Sequence, residues 1–148
     1  MAVLKKSLLL IEDDPNDVAL FRRAARKVDR SEEILVAEDG EAAVRILEAR
    51  AEQLPAEANE LPWMILLDLK MPRKSGLEVL QWLRGQPRLR HLPVIIFTSS
   101  RESSDIARAY ELGANSYLVK PVSFDQLKEM VRVLYHYWLD LNEIPQEY

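Results

Sequence analysis

Four places in the chain carry groups suited to phosphate or a hard cation, and each closes an apolar run of strand length. Glu12 and Asp13 follow "LLLI" (8–11), Asp68 ends "WMILLD" (63–68), Thr98 ends "PVIIFT" (93–98) with Ser99 behind it, and Lys120 follows "SYLV" (116–119). If these runs lie side by side, their ends bring carboxylates, a hydroxyl and an ammonium to one crevice. Ionised carboxylates at about 4 Å repel by roughly 4 kcal/mol per pair at an effective dielectric near 20. A shared proton or a hard divalent cation has to offset that. The donors are all oxygens, cysteine is absent, and the two histidines, His91 and His136, stand far apart. Such a set points to magnesium, with manganese able to replace it. Taken singly, Glu12 to Asp14 could be a helix-capping run and Asp68 a strand-end turn former. Glu38 and Asp39, in "EDG", read as a turn and cap before a helix.

A parallel sheet is the arrangement that brings strand ends together. A fifth run, "ILVA" (34–37), joins the four above, and several of the runs are apolar on both faces. That pattern fits strands covered by helices on both sides. Helical periods alternate with them: Val18, Phe21, Ala25 and Val28; Ala43, Ile46 and Leu47; Leu77, Leu80 and Leu83; Ile106, Ala109 and Tyr110; and Phe124, Leu127, Val131, Leu134 and Trp138. Strict alternation predicts an α/β doubly wound fold, whose ligands bind outside the carboxyl ends of the strands. Asp14 is placed to cap a helix that starts at Pro15, and Gly113 to stop the fourth helix. The segment 49–62 reads as a helix extension followed by a surface loop.

With 148 residues the chain is of single-domain size. The lack of cysteine removes disulfides and thiolate chemistry and fits a reducing, cytoplasmic setting. No stretch approaches a membrane span or a secretory signal. Acidic residues number 24 against 20 basic, which argues against nucleic acid as a partner. The local basic patch "FRRAARK" (21–27) reads as a solvated helix face.

The set of motifs resembles the receiver domain of two-component response regulators. "LLLIEDDPNDV", "ILLDLKMPRKSGLEVL", "VIIFTSS" and "GANSYLVKP" occur in the family's order and at its spacings across nearly the whole chain. The resemblance implies a flavodoxin-like (βα)5 fold with a five-stranded parallel sheet in the order 2-1-3-4-5. It implies that Asp68 is the phosphoacceptor and that Asp13, Asp68 and the backbone carbonyl of Lys70 bind Mg2+, with Glu12 acting through a metal-bound water. It also implies that Thr98 and Lys120 contact the phosphoryl group, that Thr98 and Tyr117 form the switch, and that the bond before Pro121 is cis. The partner so implied is a sensor histidine kinase, and the protein modifies only itself.

The fifth strand and last helix use the chain to about residue 141, so the expectation is one stand-alone receiver over 1–148, with a helix extension and tail from about 139 to 148. On that helix Met130, Val133, Tyr137 and Leu141 lie beside the apolar stripe, widening it beyond what one sheet covers. This predicts a homodimer through those residues, unless "NEIPQEY" (142–148) folds back over them. The ending "YWLDLNEIPQEY" and the long loop before the third strand resemble single-domain regulators of bacterial phytochrome kinases. Two rival functions remain: a receiver-like module that signals by dimerisation without phosphorylation, and a haloacid-dehalogenase-like phosphatase. The second would want an acid two residues after Asp68, where Lys70 stands.

Overall fold

The computed structural model describes residues 6–52 and 61–145. Strands β1 (Ser7–Ile11), β2 (Glu33–Ala37), β3 (Met64–Leu67), β4 (Val94–Thr98) and β5 (Ser116–Val119) alternate with helices α1 (Pro15–Lys27), α2 (Gly40–Glu52), α3 (Gly76–Arg84), α4 (Ser103–Glu111) and α5 (Phe124–Tyr135). The strands form one parallel sheet in the order β2-β1-β3-β4-β5, as expected. Chain direction reverses its march between β1 and β3, and the ligand crevice of this architecture belongs there.

Alternation along the strands divides the core into two layers. Leu9, Ile11, Ile65, Leu67, Val94 and Ile96 face α2, α3 and α4, while Leu8, Leu10, Met64, Leu66, Ile95 and Phe97 face α1 and α5. Every residue of β1, β3 and β4 is buried, which is why these strands are apolar on both faces. Phe21 packs edge-on against Phe97, with ring centroids 6.3 Å apart, and stands 6.4 Å from the ring of Tyr135, so α1, β4 and α5 share one aromatic cluster.

The ends of the elements follow local chemistry. Asp14 accepts from the Asn16 amide at 2.9 Å and Pro15 opens α1. Ser75 and Glu78 form a reciprocal capping box at α3. Gly113, at φ 102°, turns the chain after α4, and its carbonyl accepts two bonds from Arg84. That guanidinium also reaches the carbonyls of Arg90 and Leu92 and the side chain of Asn115, which in turn accepts from the Val94 amide. One half-buried cation thus ties α3, the approach to β4 and the approach to β5 at the end of the sheet opposite the crevice.

Two expectations need correction. Tyr110 does not join the α4 core stripe; it is 50% exposed, and Ala109 is the buried residue there. The α-helical register of α5 stops at Tyr135, and His136–Leu141 continues as a π-helical segment closed by the Asn142 amide on the Tyr137 carbonyl at 2.7 Å. The shift lets Leu139 enter the core completely, a position the continuous stripe omitted. Ile144 packs against the same layer. Most of the expected loop before β3, residues 53–60, and the last three residues of the tail lie outside the described residues.

Candidate functional site

The carboxyl ends of β1, β3, β4 and β5 open into a crevice of about 530 Å³ that contains Glu12, Asp13, Asp68, Lys70, Thr98 and Lys120 among its walls. Register creates it: the Asp68 amide donates to the Ile11 carbonyl at 3.1 Å, the Glu12 amide to Ala37 at 2.9 Å, and the Lys120 amide to Thr98 at 2.7 Å. The sheet ladder therefore runs to its last rung and leaves the functional side chains one residue beyond. Gly76 backs the site from α3. A Cβ there would stand 2.1 Å from the Asp68 carbonyl oxygen, so only glycine lets the start of α3 lie against the end of β3.

Glu12 and Asp68 are buried, Asp13 is exposed, and one carboxylate oxygen from each falls within 4.8 Å of the others. Asp68 Oδ1 accepts from the Leu69 amide at 2.8 Å. Its other oxygen lies 3.4 Å from Lys120 Nζ. The same ammonium donates to Glu12 Oε1 at 2.5 Å and to Asp17 Oδ2 at 2.8 Å. Glu12 Oε2 accepts from the Asp14 amide at 3.1 Å. Burial pushes the Glu12 carboxyl up to about 7, with the nearby charge of Asp68 adding to the rise and the bonds from Lys120 and Asp14 opposing it. Burial alone would weaken the hold of Lys120 on its proton, but the carboxylates of Asp17 and Glu12 outweigh that and keep it an ammonium. The all-oxygen donor set, with a buried acid whose ionisation is held back by its own environment, fits a hard divalent cation of the magnesium or manganese kind.

Thr98 is buried at the end of β4. On β5, Tyr117 pairs in register with Ile96, is half-buried against the core and donates its hydroxyl to the Ser100 carbonyl at 3.1 Å. Ser100 Oγ in turn donates to Asp105 at 2.5 Å, so the β4–α4 loop is fastened to both β5 and α4. Lys70 is exposed at the rim.

The expected dimer residues lie elsewhere. Met130, Val133 and Tyr137 line an apolar groove of about 600 Å³ with Leu118, Leu134 and Trp138, and Val133, Tyr137 and Leu141 are roughly half exposed. Along α1, Arg22, Arg23, Arg26 and Lys27 are all exposed, as expected of the basic patch, although the Arg23 guanidinium also lies 4.5 Å over the Phe124 ring of α5.

Two long-range pairings escaped the sequence. Asp17 reads locally as a first-turn acid on a helix, yet its carboxylate reaches Lys120, 103 positions away. Asp39 does cap α2, accepting from the Ala42 amide at 2.7 Å, but it also pairs with Arg73 at 2.5 Å and so joins the α2 cap to the loop after Asp68. Arg73 stands at φ 66°, a left-handed conformation uncommon outside glycine. Only the position of Asp17 three residues after the Asp14 cap, on the crevice side of α1, offered a signal.

Comparison with known proteins gives a consistent result. The family model described as the response regulator receiver domain matches residues 8–132. The chain is 38% identical over 138 residues to the probable methanogenesis regulatory protein FilR2 of Methanothrix harundinacea, covering 93% of this chain and 86% of that one. It is 34% identical over 140 residues to the response regulator Rcp1 of Synechocystis sp., covering 95% and 93%. The crystal structure of the Mn(2+)-bound form of Rcp1 superimposes with a TM-score of 0.79 at 33% identity, over 95% of this chain and 99% of that one. The crystal structure of the phosphorylated cyanobacterial phytochrome response regulator RcpA gives a TM-score of 0.80 at 32% identity, over 95% and 98%.

Proposed function

The chain belongs to the response regulator receiver family, and from that premise we infer that it takes a phosphoryl group onto Asp68 from the phosphohistidine of a sensor kinase. The observation that carries the reading is the grouping of Glu12, Asp13 and Asp68 within 4.8 Å, with Lys120 at 3.4 Å from Asp68. A carboxylate oxygen of Asp68 attacks phosphorus, the P–N bond to the imidazole breaks, and the imidazole leaves. Glu12, Asp13, Asp68 and the Lys70 backbone carbonyl would hold a magnesium or manganese ion, which when bound neutralises phosphoryl charge. Lys120 supplies a second positive charge and the Thr98 hydroxyl a hydrogen bond. The relative Rcp1 in its Mn(2+)-bound form and the phosphorylated RcpA support this chemistry.

The signal leaves through the β4–α4 loop. Drawing the Thr98 hydroxyl toward a phosphoryl group changes the space beside Tyr117, whose hydroxyl holds the Ser100 carbonyl, and so biases the surface of α4, β5 and α5. That surface includes the apolar groove, which fits a second copy of the chain through Met130, Val133, Tyr137 and Leu141. The name of RcpA supports a kinase of the phytochrome type as partner. A module signalling by dimerisation alone would have no use for an acidic cluster, a buried threonine and a lysine gathered in one crevice. The phosphatase alternative finds no second acid after Asp68, since Lys70 occupies that place at the rim. Incubation with acetyl phosphate and Mg2+ followed by intact mass measurement tests the reading: one phosphate is gained by the wild type and none by Asp68→Asn. A magnesium-dependent gain of equal rate in that variant contradicts it.

A further inference from the structure

We propose that Asp17 is a positioning residue that parks the Lys120 ammonium on the α1 side of the crevice, holding it off Asp68 until a phosphoryl group arrives. This rests on the reading of Asp68 as phosphoacceptor. A lysine ammonium has three donors and no acceptor, and here each donor has a carboxylate: Glu12 at 2.5 Å, Asp17 at 2.8 Å and Asp68 at 3.4 Å. Charge-assisted bonds run at about 2.7 to 2.9 Å, so the Asp17 contact is of full strength and the Asp68 contact is stretched. The ammonium is therefore held chiefly by two anions of the β1–α1 junction.

Asp17 is built to hold it there. It lies in the first turn of α1, which Pro15 and the Asp14 cap fix at their own ends, so the carboxylate is carried by a helix and not by a loop. Its side chain is 34% exposed and that of Lys120 only 14%, so the pair sits at the edge of the crevice with the lysine as the inner member. To meet a phosphoryl group on Asp68, Lys120 has to move toward Asp68 and release Asp17. A divalent cation among Glu12, Asp13 and Asp68 has to compete with the same ammonium for Glu12.

These two demands respond oppositely to the loss of the Asp17 charge. In Asp17→Asn the ammonium shifts onto Glu12 and Asp68, the carboxylates a cation needs, and Mg2+ affinity falls. The ammonium is also freer to follow a phosphoryl group, so transfer at saturating Mg2+ becomes faster. A residue that merely supports the fold would lower both.

The experiment uses the full chain as wild type, Asp17→Asn and Asp17→Glu. Isothermal calorimetry with Mg2+ and no phosphodonor reads affinity. Intact mass against time, with acetyl phosphate at saturating Mg2+, reads the rate at which Asp68 gains phosphate and acetate leaves. For Asp17→Asn the expected result is weaker Mg2+ binding together with a rate higher by about fivefold, the order expected when a charge-assisted bond becomes a neutral one. Asp17→Glu keeps the charge and is expected to return both readouts toward wild type. If affinity and rate fall together, if neither moves, or if Asp17→Glu matches Asp17→Asn, the parking role is overturned while the phosphoacceptor reading stands. A wild type that takes no phosphate defeats the phosphoacceptor reading itself.

Discussion

Arg30 and Asp140, 110 positions apart, meet through two parallel bonds of 2.9 Å, one from each terminal nitrogen of the guanidinium to a separate carboxylate oxygen. The same guanidinium pairs with Glu32 and lies 5.2 Å from the ring centre of Tyr135. It thereby fastens the π-helical segment to the turn between α1 and β2, and Lys6 adds a second tie by donating to the Leu139 carbonyl.

Arg30→Ala should destabilise the fold by about 1 to 2 kcal/mol, and a double-mutant cycle with Asp140→Ala should give a coupling of roughly 0.5 to 1 kcal/mol. The coupling is discounted because the Asp140 side chain is 35% exposed. Urea unfolding of the four proteins measures it. Arg30 holds the Asp140 carboxyl down at about 2, so the contribution is complete above the usual carboxylate range and disappears as pH falls from about 4 through 2. Zero coupling at neutral pH would show that the pair does not fasten the segment.

Glu12 gives a pH dependence of opposite sign. Its carboxyl is raised from 4.5 to about 7 in the folded chain, so the metal-free fold loses stability as pH rises through that window. A cation binds the ionised form. The thermal stabilisation given by Mg2+ should therefore grow from pH 6 to pH 8, and Glu12→Gln should remove most of that slope. A slope unchanged in the variant would place the proton elsewhere.

The fold was legible because burial on both faces makes parallel strands uniformly apolar, while Asp14, Pro15 and Gly113 punctuate the helices. The crevice was legible for a related reason: Asp68, Thr98 and Lys120 each terminate such a strand, and parallel strands end on one side. What stayed hidden depends on partners far away in sequence. Nothing near Asp17 indicates Lys120, nothing near Arg84 indicates the carbonyls of Leu92 and Gly113, and nothing near Asp140 indicates Arg30. The π-helical turn was hidden because Leu139 departs from the α-helical stripe only by the one-residue shift that buries it. Tyr110 fitted the helical period, but α4 buries little more than Ala109.

The groove beside Val133 predicts self-association. Sedimentation at tens of micromolar, on the order of concentrations where weak dimers form, should show a dimer for the wild type. Val133→Glu should shift it to monomer without loss of Mg2+ binding, since the groove and the crevice share no residue. A wild-type monomer with and without acetyl phosphate would remove the dimer.

Lys70 stands exposed at the crevice rim, two residues beyond Asp68, and with a phosphoryl group on Asp68 its side chain is expected to shield that group from water. The phosphorylated wild type should persist for minutes to hours and outlast Lys70→Asn. Dephosphorylation followed side by side by intact mass decides this. Equal rates, or a faster wild type, would mean that Lys70 does not shield the phosphate.

The most direct measurement locates the phosphoryl group itself. Borohydride reduces an acyl phosphate to an alcohol, so a phosphorylated aspartate becomes homoserine and keeps that mark through digestion and peptide sequencing by mass. After treatment with acetyl phosphate and Mg2+, homoserine is predicted at position 68 and at no other acid of the crevice. Homoserine at Asp13 or Asp17, or a phosphate gain that leaves no homoserine at all, would contradict phosphoryl transfer to Asp68.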